Sequence, residues 1–294
     1  MALAAAALFA VNGTVSKVIL TGGELTALRL TQLRATAAFL LLLGFFLVVA
    51  PARLRVRRDE VALLLFYGVV GFAAVQWLYF LAIERLPVGI ALLLQFTAPV
   101  LVALWARLAW HEPVRARVWL SLSLALAGLV LVAEVWEDVR LGAGGVTAAL
   151  LAAAGLATYF LVGERATERR DALSLTCLAL GAATGLWAIV QPWWGFPFGA
   201  LDEVVSLQGA LDSTTAPVWL LCLSMVSLGT VAPFALSLGA LRHLPATRVS
   251  IVAMTEVVLA AVVAWIWLGE ALSAVQLLGG GVVLLGVILA QTSR

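Results

Sequence analysis

The chain carries one pattern twice. Residues 71–128, slid forward by 158 positions, fall on 229–286 without a gap. Gly71 then meets Gly229, Ala82 meets Ala240, and Leu86-Pro87 meets Leu244-Pro245. Thr97 meets Thr255, Glu112 meets Glu270, and Gly128 meets Gly286. A fainter match lays Leu8–Lys17 on Leu156–Arg165 at an offset of 148, and the later rise in offset fits a longer loop at 195–216 in the second copy. Whatever one half folds into, the other half must also fold into.

Composition decides the solvent. The 294 residues are 64% hydrophobic and 12% charged, with mean hydropathy +1.10. A soluble domain is nearer half apolar and a quarter charged. No aqueous core hides so much apolar surface, so lipid is the medium. A spanning helix needs about 20 apolar residues, and ten such stretches are readable. They run 2–20, 26–49, 61–83, 88–110, 116–135, 145–164, 172–194, 217–241, 246–268 and 273–291. No basic residue precedes the first stretch and polar residues lie within it, so residues 1–20 read as an uncleaved span. The expected fold is an all-α integral membrane protein with ten transmembrane helices. The repeats divide it into residues 1–140 and 141–294, five spans each. An odd number of spans per copy turns the second copy upside down, giving two inverted five-helix repeats.

Basic residues collect in cytoplasmic loops. Arg53, Arg55, Arg57 and Arg58 follow span 2; Arg107, Arg115 and Arg117 follow span 4. Arg165, Arg169 and Arg170 follow span 6, Arg242 and Arg248 follow span 8, and Arg294 ends the chain. Thirteen basic residues thus fall on one side, against Arg85 and Arg140 on the other. This strict alternation puts both termini in the cytoplasm and the 195–216 loop outside. Inverted repeats of this kind mark secondary transporters, whose solute site lies between the copies near the bilayer midplane. Two equivalent halves can exchange roles and open first one side, then the other.

Several stretches resemble one family. Asn12-Gly13-Thr14-Val15-Ser16-Lys17 is similar to the opening span of EamA-type proteins, and Leu33-Arg34 to their second span. Leu86-Pro87-Val88-Gly89-Ile90-Ala91, Thr97-Ala98-Pro99 and His111-Glu112-Pro113 resemble the end of a first EamA repeat. Leu268-Gly269-Glu270, Gln276-Leu277-Leu278-Gly279 and Leu285-Gly286 resemble the end of a second. The resemblance is to the EamA branch of the drug/metabolite transporter superfamily and covers nearly the whole chain. It implies a ten-helix inner-membrane carrier, commonly an exporter of amino acids or related metabolites. The run Ile90–Thr97 resembles the threonine/homoserine exporters within it, with Gln95 standing where those exporters tend to have Glu. Aromatic-amino-acid exporters share the architecture, so the resemblance leaves the cargo open.

A charge in the hydrocarbon core costs at least a few kcal/mol and asks for a reason. Glu256 lies about ten residues into span 9, roughly 15 Å from either end. It suits a substrate ammonium group or a coupling proton; the alternative is a structural partner to a buried arginine. Its counterpart in the first copy is Ala98, so the symmetry is broken there. Arg34, eight residues into span 2, can grip a carboxylate with two hydrogen bonds, or snorkel, or pair internally with Glu256. Lys17, near the external end of span 1, reads as an orienting or gating charge. Arg29, nearer the outer end of span 2, reads as an interfacial anchor.

Uncharged polar groups complete the expected cavity. Asn12 is a mid-span amide that needs a helix or ligand partner. Gln76 and Tyr79, three apart on span 3, share a face; Gln95 is an amide that lipid disfavours. Tyr159, Ser250 and Thr255 join the set, although serine and threonine also glue membrane helices. Pro99 and Pro233 lie inside spans 4 and 8, where they act as static kinks or as hinges. Pro87 and Pro245 set the starts of spans 4 and 9. Glu112 and Glu270 read as structural or gating charges. Gly181 and Gly185, and Gly279-Gly280-Gly281, permit close helix contact.

Other classes have little to stand on. Cys177 and Cys222 lie in apolar spans without metal-ligand spacing, so neither a metal nor a cofactor is expected. A membrane-embedded enzyme needs a reactive cluster, yet His111 and His243 both fall in loops. A channel needs a regular polar stripe, and none is readable. Within the superfamily, a nucleotide-sugar, nucleoside or drug carrier is the alternative; a nucleotide sugar would want several cations facing its phosphates. The expected partners are a small solute such as an amino acid, the bilayer and protons, with no nucleic acid; the oligomeric state stays open.

Overall fold

The computed structural model describes residues 1–83, 85–86, 88–134, 142–269 and 271–292. Among the described residues nine apolar helices are long enough to cross a membrane. They are α1 (Ala2–Gly22), α2 (Ala27–Val49), α3 (Arg58–Ala82), α4 (Ile90–Leu108), α6 (Ala143–Thr167), α7 (Ala172–Val190), α8 (Val218–Leu241), α9 (Ala246–Leu268) and α10 (Ala274–Thr292). The shorter apolar helix α5 spans Ala116–Val132. The protein is therefore an all-α, multi-pass membrane protein, and each helix falls on an expected span. The expected division at 140/141 and Pro87, Arg140 and Glu270 lie outside the described residues.

Local chemistry starts the helices. The Thr26 hydroxyl accepts from Arg29 N (3.3 Å) at the head of α2, and Asp171 accepts from Ser174 N (3.0 Å) at the head of α7. Their outward faces carry apolar groups such as Leu40, Val48, Leu104, Leu278 and Ile288, which stay exposed for lipid to cover. Inward faces are built from small residues. Ala148, Ala149, Ala152 and Ala153 are buried along α6 and let neighbouring helices approach closely.

The repeat is visible in the packing. α1 packs on α8 and α9; α6 packs on α3 and α4. Exchanging the first five helices for the second five turns one set of contacts into the other. α5·α10, α2·α7 and α4·α9 map onto themselves. The α5–α10 seam shows this residue by residue. Gly128 abuts Gly279 and Val283, while Gly286 abuts Ser121 and Ala125. At the offset of 158, Gly128 and Gly279 become Gly286 and Ser121. The contacts also run in opposite directions along the two helices, as inversion requires.

Among the described residues four helices are interrupted at matched positions. α3 widens into a π turn at Tyr67–Ala74 and α8 at Ser227–Val231. α4 breaks between Gln95 and Ala98, and α9 at Met254. Thr97 donates its hydroxyl to Leu94 O (2.6 Å) and Thr255 to Val252 O (2.7 Å), so equivalent threonines satisfy carbonyls at equivalent breaks. Pro99 and Pro233 are buried in the first turn after an interruption.

The α7–α8 connection folds over one end of the bundle. It holds a two-stranded antiparallel hairpin, β1 (Val204–Ser206) with β2 (Thr215–Pro217). Phe196, Ala200, Val205 and Ala216 bury themselves against Val18, Ile19 and Leu30 of α1 and α2. Trp267 Nε1 donates to Leu207 O (2.9 Å), and Gln208 Nε2 donates to Thr21 Oγ1 (2.7 Å), tying the loop to α9 and α1.

Candidate functional site

Interior polar groups come from three helices. α2 supplies Arg34, α3 supplies Gln76 and Tyr79, and α9 supplies Glu256 in the first turn after its break. Glu256 lies within electrostatic range of both Arg34 and Tyr79. Among the described residues the two opposite charges close no direct ion pair, and Arg34 Nε is sealed from solvent with no hydrogen-bond partner.

A cavity of about 10 Å³ lies where α2, α3, α7 and α8 meet, lined by Thr31, Arg34, Phe72, Gln76, Trp187, Thr230 and Phe234 among others. That volume holds about one water. Two sets of contacts flank the cavity. Towards the α7–α8 connection, Arg29 Nη1 donates to Gln32 Oε1 (3.0 Å) and to Pro192 O (2.9 Å), and Gln32 Nε2 donates to Gln191 O. This strap ties α2 to the end of α7. Towards the opposite end, five rings interlock. Phe72 lies 4.5 Å from Phe234 and 5.4 Å from Tyr159, Tyr159 stacks on Tyr67 at 5.9 Å, and Phe9 meets Phe234 edge-on at 5.1 Å. Tyr67 donates its hydroxyl to Tyr159 O (3.2 Å), locking α3 to α6.

The expected cavity residues divide into groups. Arg34 and Gln76 line one cavity, with Tyr79 and Glu256 beside the same charges. Tyr159 belongs to the aromatic cluster and is buried. Asn12 packs its amide onto Gly229 in the π turn of α8, and its Oδ1 has no partner. Ser250 donates to Thr247 O (3.1 Å), and Thr255 caps the α9 break, so both hydroxyl hydrogens are committed to their own helix. Gln95 stands half-buried on α4 and is absent from the cavity wall; Lys17 is exposed towards the end of α1. Glu112 reaches Arg165 at 4.0 Å, both partly exposed, while Arg165 stacks over Trp110.

Sequence reasoning missed Thr31, Trp187 and Thr230. Thr31 is three residues before Arg34 on one helix face, a spacing that signals it. Trp187 sits in an apolar run where nothing separates it from packing residues. Yet its Nε1 is also sealed and unpartnered.

A larger groove of about 550 Å³ lies between α4 and α6, lined by Leu101, Leu104, Trp105, Leu108 and Thr158 among others. Thr158 donates to Ala154 O (2.9 Å), so the groove shows lipid an apolar wall and offers a polar solute little. The interior charges lie outside this groove.

A family model described as the EamA-like transporter family matches residues 1–133 and 143–292. The chain belongs to the EamA-like transporter family. It is 33% identical over 255 residues to the threonine/homoserine exporter RhtA of Escherichia coli K12, covering 86% of this chain and 78% of that protein. It is 27% identical over 259 residues to the uncharacterized transporter YdfC of Bacillus subtilis, covering 85% and 79%. A solved crystal structure matches with a TM-score of 0.77 over 98% of this chain and 94% of its own, at 17% identity, a likeness of fold. The resemblance drawn from the motifs is thereby established at the level of family.

Proposed function

We propose that this transporter exports amino acids or closely related metabolites across the inner membrane by alternating access. The observation that carries the reading is the Arg34–Glu256 pair. Arg34 on α2 and Glu256 on α9 lie within electrostatic range of each other, and among the described residues no ion pair closes between them. A zwitterion offers the complementary pair, its carboxylate to Arg34 and its ammonium to Glu256. The likeness to exporters named for threonine and homoserine supports the same substrate class. The repeats, residues 1–140 and 141–294, act as the two moving halves. Thirteen basic residues on one side support cytoplasmic termini. Asn12, Gln76, Tyr79 and Tyr159 complete the polar and aromatic surroundings; Lys17, Pro99 and Pro233 serve the motion. Glu256 is also the group placed to carry a coupling proton.

The test uses proteoliposomes preloaded with mixed amino acids, with and without a proton gradient, for the wild type and Glu256→Gln. The expected result is selective loss of one amino-acid class from the lumen, gradient-dependent in the wild type and abolished in the variant. Unchanged kinetics and pH dependence in Glu256→Gln remove the glutamate from the mechanism. No flux of any amino acid retires the substrate assignment and turns the search to nucleosides, nucleotide sugars and drugs.

A further inference from the structure

We infer that Arg34 Nε and Trp187 Nε1 form a two-donor site for a carboxylate, which makes Trp187 a specificity-determining residue for the transported solute. The inference deepens the amino-acid reading and rests on it for the identity of the solute, though not for the chemistry of the donors.

Both nitrogens belong to residues that line the same cavity, both are sealed from solvent, and neither has a partner. An arginine Nε and an indole Nε1 donate only, so they cannot satisfy each other. Each buried, unmet donor is costly, and the cost vanishes when an acceptor arrives. Gln76 on the same wall carries an amide oxygen that can accept, yet neither nitrogen is bonded to it or to any other acceptor. Ala35, Phe72, Leu180, Ala183 and Phe234 are apolar. Thr31 turns its hydroxyl onto Ala27 O (2.9 Å), and Thr230 turns its hydroxyl onto Met225 O (2.9 Å). No residue of the wall meets either nitrogen, so a ligand oxygen would satisfy both.

The chemistry of the ligand follows. An amine or other cation would meet donors and a guanidinium charge, so it is excluded at this end. A carboxylate offers two coplanar oxygens and a negative charge, which match one cation and two N–H groups. A phosphate would ask for further cations, and among the described residues lining this cavity Arg34 is the cation present. The position is also mechanical. Arg34 is on α2 and Trp187 on α7, the pair joined by the strap at Gln32, Gln191 and Pro192. With room for about one water, the cavity is too small for a carboxylate, which therefore enters as α2 and α7 part.

The experiment reads binding without transport. Purified protein in detergent is heated with a thiol-reactive dye that reports exposure of the buried Cys177 and Cys222. L-Threonine, its carboxamide and 3-hydroxybutyrate serve as protecting ligands. In the wild type, threonine and 3-hydroxybutyrate should protect at concentrations at least about tenfold below the carboxamide, the size of one charge-assisted hydrogen bond. Trp187→Phe keeps the ring face and removes the N–H; the acid-over-amide preference should shrink about tenfold. Arg34→Lys keeps the charge without the planar fork and supplies a second variant with the same expected loss. Equal protection by acid and carboxamide, no protection by any carboxylate, or an unchanged preference in both variants overturns the donor pair. Protection by 3-hydroxybutyrate with no amino-acid flux in liposomes sinks the exporter reading and leaves the carboxylate site standing.

Discussion

The α5–α10 seam makes a prediction in which one kind of substitution reverses sign along a single helix. A methyl group at Gly128 would lie 2.6 Å from Gly279 O and 2.6 Å from Val283 N, against 3.4 Å for ordinary contact. Both obstacles are backbone, so no side chain can swing aside and the helices must separate. Overpacking of this kind costs about 1–3 kcal/mol. Replacing glycine by alanine within a helix gains about 1 kcal/mol in return. Gly128→Ala should therefore lose up to about 2 kcal/mol. Gly286→Ala should behave alike, because its methyl would lie 2.7 Å from Ser121 O and 2.9 Å from Ala125 N. Gly281, also on α10, has nothing within 4 Å of the same position. Gly281→Ala keeps only the gain, up to about 1 kcal/mol. The assay is thermal unfolding in detergent, followed by dye reaction at Cys177 and Cys222. Lower midpoints for Gly128→Ala and Gly286→Ala, and a higher one for Gly281→Ala, are expected. In the double variant the two losses should add to less than their sum, since the first already opens the seam. Equal signs for Gly128→Ala and Gly281→Ala would refute the reasoning.

Two further sites carry predictions. Glu60 and Arg170 form a largely buried ion pair at 2.6 Å, and Arg170 also donates to Arg53 O (3.1 Å) and Arg55 O (2.7 Å). Arg170→Ala leaves the carboxylate with the Arg57 backbone N–H (3.2 Å) but no guanidinium and should cost about 1–3 kcal/mol, with Glu60→Gln recovering part of the loss in a double-mutant cycle measured by the same unfolding assay. A methyl group at Gly229 would collide with the Asn12 amide; Gly229→Ala should lower the unfolding midpoint, and Asn12→Ala should restore most of it, whereas independent effects would show that the two do not touch.

Much of the fold was legible because lipid imposes a simple rule: every span must be long, apolar and hydrogen-bonded within itself. The offset between Gly71 and Gly229 and between Gly128 and Gly286 added the symmetry. Pro99 and Pro233 flagged two interruptions, but their causal weight was overstated by sequence alone. Val257 stands at the position of Pro99 in the second copy, and Val75 at that of Pro233 in the first. α9 and α3 are interrupted there all the same, so proline accompanies these breaks without being required for them. Part of the candidate site was legible too. Arg34, Gln76 and Glu256 stood out because charged and amide groups are expensive in hydrocarbon. Trp187 did not, since an indole in an apolar run is cheap to bury until the fold leaves its N–H without an acceptor. Ser250 and Thr255 misled in the opposite sense. Their polarity was visible, but the sequence could not show that their own helix would occupy it.

The seam has a consequence for how the two halves came to differ. A contact in which Gly128 meets Gly279 while Gly286 meets Ser121 is isologous, the relation that joins identical subunits across a two-fold axis. Here it is held inside one polypeptide. In a true homodimer every substitution strikes both sides of the axis at once. In a fused pair each side changes alone, so one copy can keep Ala98 while the other acquires Glu256. A mid-span acid on one side of a symmetric frame, with alanine at the equivalent place, is a state that only the covalently joined version can reach.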